Sequence, residues 1–341
     1  MRARAPLTIL VLGVSLCVAV VLAVGVGAVA VPPVSFLRLV LNGIGFRSVT
    51  PPPDRDITIL LFLRLPRIAS AILVGATLAS CGAVMQGLFR NPMASPEILG
   101  VSAGGSLGAV IAITAGLAER SLLALPLLTV VGSLLASGII YAISRRKGTT
   151  SLLFIVIAGM AISSLFGGVT SGLLLFSKQY EVSQYVFWTM GGLEGRTWQH
   201  VMLSAPVLVP GVAVLALFAR ELNMFTLGEQ SAFSLGMNVE VTKRIVLAVC
   251  AVITGTAIAV SGPIGFVGLL IPHVFRLLVG PDHRTLIPAS ALGGGLFLVL
   301  CDLLGRVLAP PFEIRVGIIT AIIGSPYLLS LIIRSQRRRA E

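Results

Sequence analysis

Charged side chains are scarce along this chain. Only 11% of its 341 residues are Asp, Glu, Lys or Arg, whereas 56% are hydrophobic and the mean hydropathy is +1.01. A soluble domain carries roughly 25% charged residues, because its surface must face water. The scarcity of charge therefore excludes an ordinary soluble domain and predicts an all-α polytopic membrane protein.

Lysine is rarer still, with only Lys147, Lys178 and Lys243 in the whole sequence. None of them stands in a GxxxxGK[ST] pattern, the glycine-rich loop whose backbone N–H groups and lysine hold nucleotide phosphates. The chain therefore has no P-loop of its own.

Cysteines are few and lie far apart in sequence. Cys17, Cys81, Cys250 and Cys301 fall in separate apolar runs, with no CxxC or Cys/His cluster, so neither a metal site nor a disulfide framework is predicted. The net charge of +12 is not accompanied by the basic-aromatic clusters typical of nucleic-acid binding. In a membrane protein a basic excess sets orientation, because Lys and Arg concentrate on the cytoplasmic side.

Ionisable side chains inside the apolar runs, the usual mark of ion-coupled transporters, are also rare. Asp302 is the nearest candidate, but Arg306 follows it by four residues, so we expect a local ion pair across one helical turn. His200, His273 and His283 are scattered, and a lone histidine is more often a hydrogen-bonded packing residue than a ligand.

Apolar segments divide the chain into about ten candidate transmembrane helices. Most have the 17–25 residues or so that are needed to cross a hydrocarbon core of roughly 30 Å. They are Leu7–Ala30, Ile68–Leu88, Ile98–Ala115, Leu122–Ile143, Ser151–Phe176, Val201–Ala219, Ile245–Ser261, Ile264–Val279, Leu286–Leu304 and Val316–Ile333. The charge-free run 245–275 is divided at Ser261-Gly262-Pro263, with one very long helix as the alternative. The first segment exceeds the apolar core of a signal peptide and is expected to stay as a span.

Basic residues near the termini predict the orientation of these spans. Arg2 and Arg4, the SRRK sequence after the fourth span and the terminal RSQRRR sequence fall on one side of a ten-span chain. Both termini are therefore expected in the cytoplasm. The loop 220–244, which follows six spans, is then cytoplasmic too.

This loop is the longest polar interruption in the second half of the chain. Leu227, Ala232, Leu235 and Met237 recur in it at roughly helical spacing, which predicts one or two short amphipathic helices. Gly228 and Gly236 are suited to end or separate them. A plain solvated loop between spans is the alternative.

Three long stretches carry a family resemblance. They are LRLPRIASAILVGATLASCGAVMQGLFRNPMASPEILGVSAGGSLGAV, GPIGFVGLLIPHVFRLLVGPDHRTLIPASAL and DLLGRVLAPPFEIRVGIITAIIGSPYLL. In this order they resemble the permease subunits of ABC importers for iron chelates and cobalamin. The resemblance implies the type II importer permease fold, one transmembrane domain over residues 1–341, and a homodimer. It also implies two cytoplasmic ATP-binding subunits, an extracytoplasmic substrate-binding protein, and no cofactor or catalysis in this chain.

The resemblance further implies roles for particular residues. The coupling helices that contact the ATPase would include Leu227, Gly228, Glu229, Gln230, Ser231, Ala232, Ser234, Leu235, Gly236 and Met237. Docking of the binding protein would use Arg64, Arg67 and Arg306, for which interfacial arginines reaching toward phosphate or water are the alternative. The cytoplasmic gate would lie near Asn91, Thr150 and Ser151; helix capping is the alternative for the last two.

The function that follows is transport of an iron chelate, either a ferric siderophore or haem, across the cytoplasmic membrane. Cobalamin is the alternative cargo within the same family. An ion-coupled secondary transporter is the alternative from a different class. The partners expected are a second copy, the ATP-binding subunits, the binding protein and lipid, with no nucleic acid.

Overall fold

The computed structural model describes residues 5–27, 29–45, 50–146 and 149–340. Over these ranges the regular secondary structure is helical apart from one short β-hairpin, with turns and loops between the elements. The predictions for Arg2, Arg4 and Lys147 lie outside the described residues.

The helices are α1 (Ala5–Gly25), α2 (Pro33–Gly43), α3 (Asp54–Thr58), α4 (Leu65–Leu88), α5 (Val101–Thr114), α6 (Leu117–Arg120), α7 (Ala124–Ser144), α8 (Leu152–Leu175), α9 (Gln179–Thr189), α10 (Trp198–Leu217), α11 (Ala219–Phe225), α12 (Glu229–Ser234), α13 (Val239–Ser261), α14 (Val267–Val279), α15 (His283–Val307) and α16 (Val316–Ala340). A π-helical turn occupies Ile59–Arg64, and a 3₁₀ turn occupies Pro96–Leu99. Strands β1 (Arg145–Arg146) and β2 (Thr149–Thr150) pair antiparallel.

Ten of these helices correspond to the ten predicted spans. Among the described residues, seven helical segments are long and apolar enough to cross a membrane, and α5, α14 and the Val316–Ser330 part of α16 are shorter apolar helices. The predicted all-α, multi-span fold is confirmed. The predicted break after Ser261 is confirmed too, because α13 ends there and α14 begins at Val267. A single long helix through this region was the wrong alternative.

The second span begins earlier than its apolar pattern indicates. Helix α3, the π-helical turn and α4 form one continuous helical segment, Asp54–Leu88, whereas the sequence predicted a start at Ile68. Pro66 near the start of α4 lacks an N–H to donate to the preceding turn. The π-helical turn directly upstream is where the hydrogen-bond register changes, so the helix continues through Arg64 and Pro66.

Glycines bring the central helices into backbone contact. Helix α4 packs along α15, and α5 packs along α7. A Cβ on Gly75 would overlap the carbonyl of Gly294, and one on Gly104 would overlap the carbonyl of Gly132. Because the lipid environment gives helices no hydrophobic drive to associate, such close packing is what holds the bundle together. Helices α4, α13 and α15 each bury more residues than any other helix.

Polar contacts gather at the two ends of this bundle. One end holds the start of α4, the end of α15 and the loop around Glu313, joined through Arg67 and Asp302. The opposite end holds α11, α12, the start of α13 and the β1–β2 hairpin, joined through Lys243. By the orientation predicted from basic residues, these are the outer and cytoplasmic ends, and we use those names below.

Candidate functional site

At the cytoplasmic end, the loop predicted to couple to an ATPase folds as two short helices, α11 and α12. This confirms the predicted helix–glycine pattern, because Gly228 precedes α12 and Gly236 follows it, both with positive φ. Ala232 points inward and is buried, whereas Leu227, Phe233 and Leu235 are exposed around it. Exposed apolar side chains therefore lie on and beside α12, among the exposed polar residues Gln230, Ser231 and Ser234.

Helix α11 is anchored to the start of α15. The side-chain oxygen of Asn223 accepts a hydrogen bond from the His283 backbone N–H (2.9 Å), and its side-chain N–H donates to Asp282 (2.7 Å). Burial raises the pKa of Asp282, but hydrogen bonds from the Arg284 backbone and from Asn223 outweigh it and leave the pKa below its usual value. The loop is thus fixed to the membrane bundle at its α11 end.

Of the residues predicted to form a gate, Thr150 and Ser151 lie at the entrance to α8. Ser151 is the N-cap of α8, with its Oγ accepting from the Phe154 backbone N–H at 3.5 Å, as the capping alternative predicted. Thr150 is buried in β2, one residue before that cap. Asn91 is exposed and its side chain accepts a hydrogen bond from Met93 within its own turn. A role for the three in gating stays a prediction.

Lys243 joins α12 to this gate segment, a connection that the sequence did not reveal. Its side chain is only 1% exposed, and its ammonium contacts Glu229 at 2.7 Å, the Thr150 carbonyl at 3.0 Å and Glu240 at 3.3 Å. The resemblance placed Glu229 among the coupling residues, but no sequence pattern indicated its pairing with Lys243. The contact of Lys243 with Thr150 spans 93 residues and could not be read from local spacing.

At the outer end, the predicted docking arginines bind different partners within the chain. The guanidinium of Arg64 is buried and donates to the carbonyl oxygens of Val24 and Val29 at the end of α1. Arg306 is also buried and donates to the Ala23 carbonyl at 3.0 Å. Both side chains therefore fasten α1 to the bundle, whatever further contacts they make.

Arg67 and Arg306 share one carboxylate. Arg306 lies 3.2 Å from Asp302, which confirms the local ion pair predicted from their spacing. Arg67 adds a second pair with Asp302 at 2.8 Å and a third with Glu313 at 2.7 Å. The predicted pair is thus the centre of a four-residue network between α4 and α15.

The outer arginines line a cavity of about 310 Å³. Its charged lining residues are Arg64, Arg67, Arg196, Arg306, Glu194 and Glu313. Four guanidinium groups face two carboxylates, so the cavity is electropositive. Burial, with the neighbouring Arg315 adding to it, lowers the pKa of Arg196, as expected where cations are crowded. Such a cavity suits an acidic partner surface.

Within residues 5–27, 29–45, 50–146 and 149–340, no group of three or more His, Cys, Asp or Glu side chains is arranged to hold a metal ion. Glu97 is a carboxylate that the sequence analysis did not single out. It lines a cavity of about 110 Å³ with Leu78 and Thr254, which belong to the middle turns of α4 and α13. Glu97 is exposed. Because it lies six residues after Asn91, which the resemblance places near the cytoplasmic gate, its position beside these mid-span residues could not be read from the sequence.

Comparison with known proteins places this architecture in a family. The FecCD transport family matches residues 15–334. The chain is 46% identical over 280 residues to the cobalamin import permease BtuC of Halobacterium salinarum, covering 82% of this chain and 74% of that one. It is 39% identical over 334 residues to the hemin transport permease HmuU of Yersinia pestis, covering 97% of each chain.

A solved structure shares the whole fold. An inward-facing metal-chelate type ABC transporter superposes with a TM-score of 0.85 at 30% identity, covering 96% of this chain and 99% of that one. ABC importer permeases work with separate ATPase and binding-protein partners. With the ten apolar helices and the short helices of the polar loop, these matches show that the chain is a multi-pass, non-catalytic permease subunit and belongs to the FecCD transport family of iron-chelate and cobalamin ABC importers.

Proposed function

We propose that this chain forms the membrane pathway of a homodimeric importer that brings a metal chelate into the cytoplasm, driven by two ATP-binding subunits. The observation that carries this is the combination of exposed apolar side chains on and beside α12 (Leu227, Phe233 and Leu235) with the absence of a P-loop from the sequence. An apolar patch at a water-facing position marks a protein interface. The surface is where a separate ATPase would dock and move the bundle.

Two features support a second copy as the partner within the membrane. Helix α8 is among the least buried of the candidate spans, with exposed Leu153, Ile157 and Met160. Its Gly168 and Gly172 have open space around them. Exposed small residues let two helices approach closely in lipid. We infer that α8 borders the dimer interface and the transport pathway.

The electropositive cavity at the outer end supports docking of a binding protein. Arg67 is the predicted docking residue that retains access to solvent, at 12% side-chain exposure. Arg64 and Arg306 are more deeply buried, and they contribute positive charge to the lining of the cavity. Guanidinium groups bind carboxylates in bidentate geometry, so acidic side chains of a binding protein are suitable partners.

For the cargo, the first candidate is an iron chelate, either haem or a ferric siderophore, and the match to HmuU along the whole chain supports haem. Cobalamin is the second candidate, favoured by the higher identity to the halobacterial BtuC. Both share a metal held by an organic ligand. A permease for either needs no metal ligands of its own, because the metal stays bound to its chelator.

A binding screen separates these candidates. The substrate-binding protein that captures this complex would be titrated with haemin, ferrichrome and cyanocobalamin, with intrinsic fluorescence as the readout. We expect saturable binding of one of the three. Binding of none, together with uptake driven by an ion gradient alone, would favour the ion-coupled secondary transporter instead.

A further inference from the structure

The three contacts of Lys243 use the full bonding capacity of its ammonium group. A lysine has three N–H donors, and here they meet the Glu229 carboxylate, the Glu240 carboxylate and the Thr150 carbonyl. The side chain is 1% exposed, so its charge is compensated by these partners rather than by water. Such a buried, satisfied cation holds its neighbours in one geometry.

Each of the three partners belongs to a different element. Glu229 is the first residue of α12, Glu240 lies in the first turn of α13, and Thr150 ends the hairpin that leads into α8. Glu240 also accepts a hydrogen bond from the Thr150 backbone N–H at 3.0 Å. Both backbone polar groups of Thr150 are therefore held by the Lys243–Glu240 pair.

Glu229 differs from Lys243 and Thr150 in its exposure to solvent. Its side chain is 44% exposed, whereas Lys243 and Thr150 are buried. Glu229 therefore connects exposed α12, through the buried lysine, to the backbone one residue before the N-cap of α8.

We propose that Lys243 is a positioning residue that transmits movement of α12 to the start of α8, and so connects ATPase docking to opening of the cytoplasmic gate. This rests on the proposed function above. Lys243 lies near the start of α13. It acts through Glu229 on one side and Thr150 on the other, as a short rigid link between two elements that must move together.

The test uses the full complex, with ATPase subunits and binding protein, in vesicles. Haemin and cyanocobalamin serve as probes, and ATP hydrolysis is measured alongside uptake. Lys243→Met keeps the volume of the side chain but removes all three contacts. We expect it to co-purify with the ATPase and to hydrolyse ATP, while uptake per ATP falls about tenfold, within the usual range of coupling between sites. Arg244→Met, which removes an exposed neighbouring cation, is the matched control and should leave this ratio unchanged.

A second variant and a distance measurement separate coupling from simple stability. Glu229→Gln removes only the exposed charge and should lower uptake per ATP in the same direction. Spin labels at Ser151 in the two copies should change their separation on ATP binding in the unaltered complex and not in Lys243→Met. If Lys243→Met does not assemble, Glu229→Gln decides the question. Unchanged uptake per ATP in the variant that assembles would overturn the link. No ATP-dependent uptake by the unaltered complex would instead refute the proposed function.

Discussion

The Nε–H of Arg67 donates to both carboxylate oxygens of Asp302, at 2.8 and 3.1 Å. This contact joins the start of α4 to the end of α15, although the two residues are 235 positions apart in the sequence. Asp302 is 1% exposed and also contacts Arg306, so one buried carboxylate balances two guanidinium groups. This relationship closes the outer end of the bundle beneath the electropositive cavity.

We expect Asp302→Ala to lower the free energy of unfolding by about 3–5 kcal/mol, because it removes the buried carboxylate that Arg67 and the buried Arg306 share. Glu313→Ala is the matched control. Its carboxylate is 29% exposed, and it is expected to cost about 1 kcal/mol or less. Chemical unfolding of the purified chain in detergent measures both. Equal losses in the two variants would show that burial of Asp302 does not decide its contribution.

Arg64→Glu combined with Arg67→Glu should weaken docking of the binding protein. Truncating one partner of a desolvated charge pair costs about 2–5 kcal/mol, and reversal adds repulsion. Docking affinity at low and high salt measures the effect, and reversing acidic residues of the binding protein to arginine should restore part of it. Because Arg64 also holds the end of α1 and Arg67 also pairs with Asp302, the yield of monodisperse protein is measured beside docking, to separate lost folding from lost docking. Unchanged docking at low salt would make these arginines structural only.

Gly82→Ala should prevent folding of the bundle, since its Cβ would overlap the carbonyl of Gly268 where α4 crosses α14. Gly167→Ala in α8 is the control, with open space at its Cβ. Helix propensity predicts that this control gains about 0.5–1 kcal/mol. Yield of monodisperse protein in detergent distinguishes the two. A well-folded Gly82→Ala variant would contradict the close approach of these helices.

Gly236→Trp should either leave ATP hydrolysis intact while uptake is lost, or block assembly with the ATPase. The residue lies after α12 with φ +85° and open space around it, so a bulky side chain would project from the proposed docking surface. Gly195→Trp has a similar φ of +69° and similar space, but lies beside the outer cavity. Co-purification with the ATPase measures the difference. Normal assembly and normal uptake in Gly236→Trp would remove the coupling role from this loop.

Topology is tested by single cysteines in a cysteine-free background. Gln230→Cys, on exposed α12, should resist an impermeant thiol reagent added outside intact cells and react after the membrane is opened. Glu194→Cys, exposed by the outer cavity, should react in intact cells. The reverse pattern would overturn the orientation and the coupling-loop assignment together.

Local patterns in the sequence predicted the spans well, because a segment must be apolar over its whole length to cross a bilayer. Gly262-Pro263 likewise predicted the break between α13 and α14, since both residues disfavour a continuous helix. The Asp302–Arg306 pair was predictable because its partners are four residues apart on one helix.

Contacts between distant segments could not be predicted in this way. Arg67 finds Asp302, and Lys243 finds Thr150, only once the bundle brings α4 to α15 and α13 to the hairpin. The family resemblance implied that Arg64 and Arg67 both serve in docking a partner protein. The structure adds that Arg64 donates to backbone carbonyls at the end of α1, which no spacing rule reveals.

If this chain is a transport pathway driven by separate ATPase and binding-protein partners, uptake by reconstituted vesicles must depend on both partners. Purified chain in vesicles would be supplied with the ATPase subunit, the binding protein, or both, and uptake of haemin, ferrichrome and cyanocobalamin would be followed with ATP enclosed. We expect uptake of one probe only when both partners and ATP are present. Uptake by the chain alone under a proton or sodium gradient would contradict it.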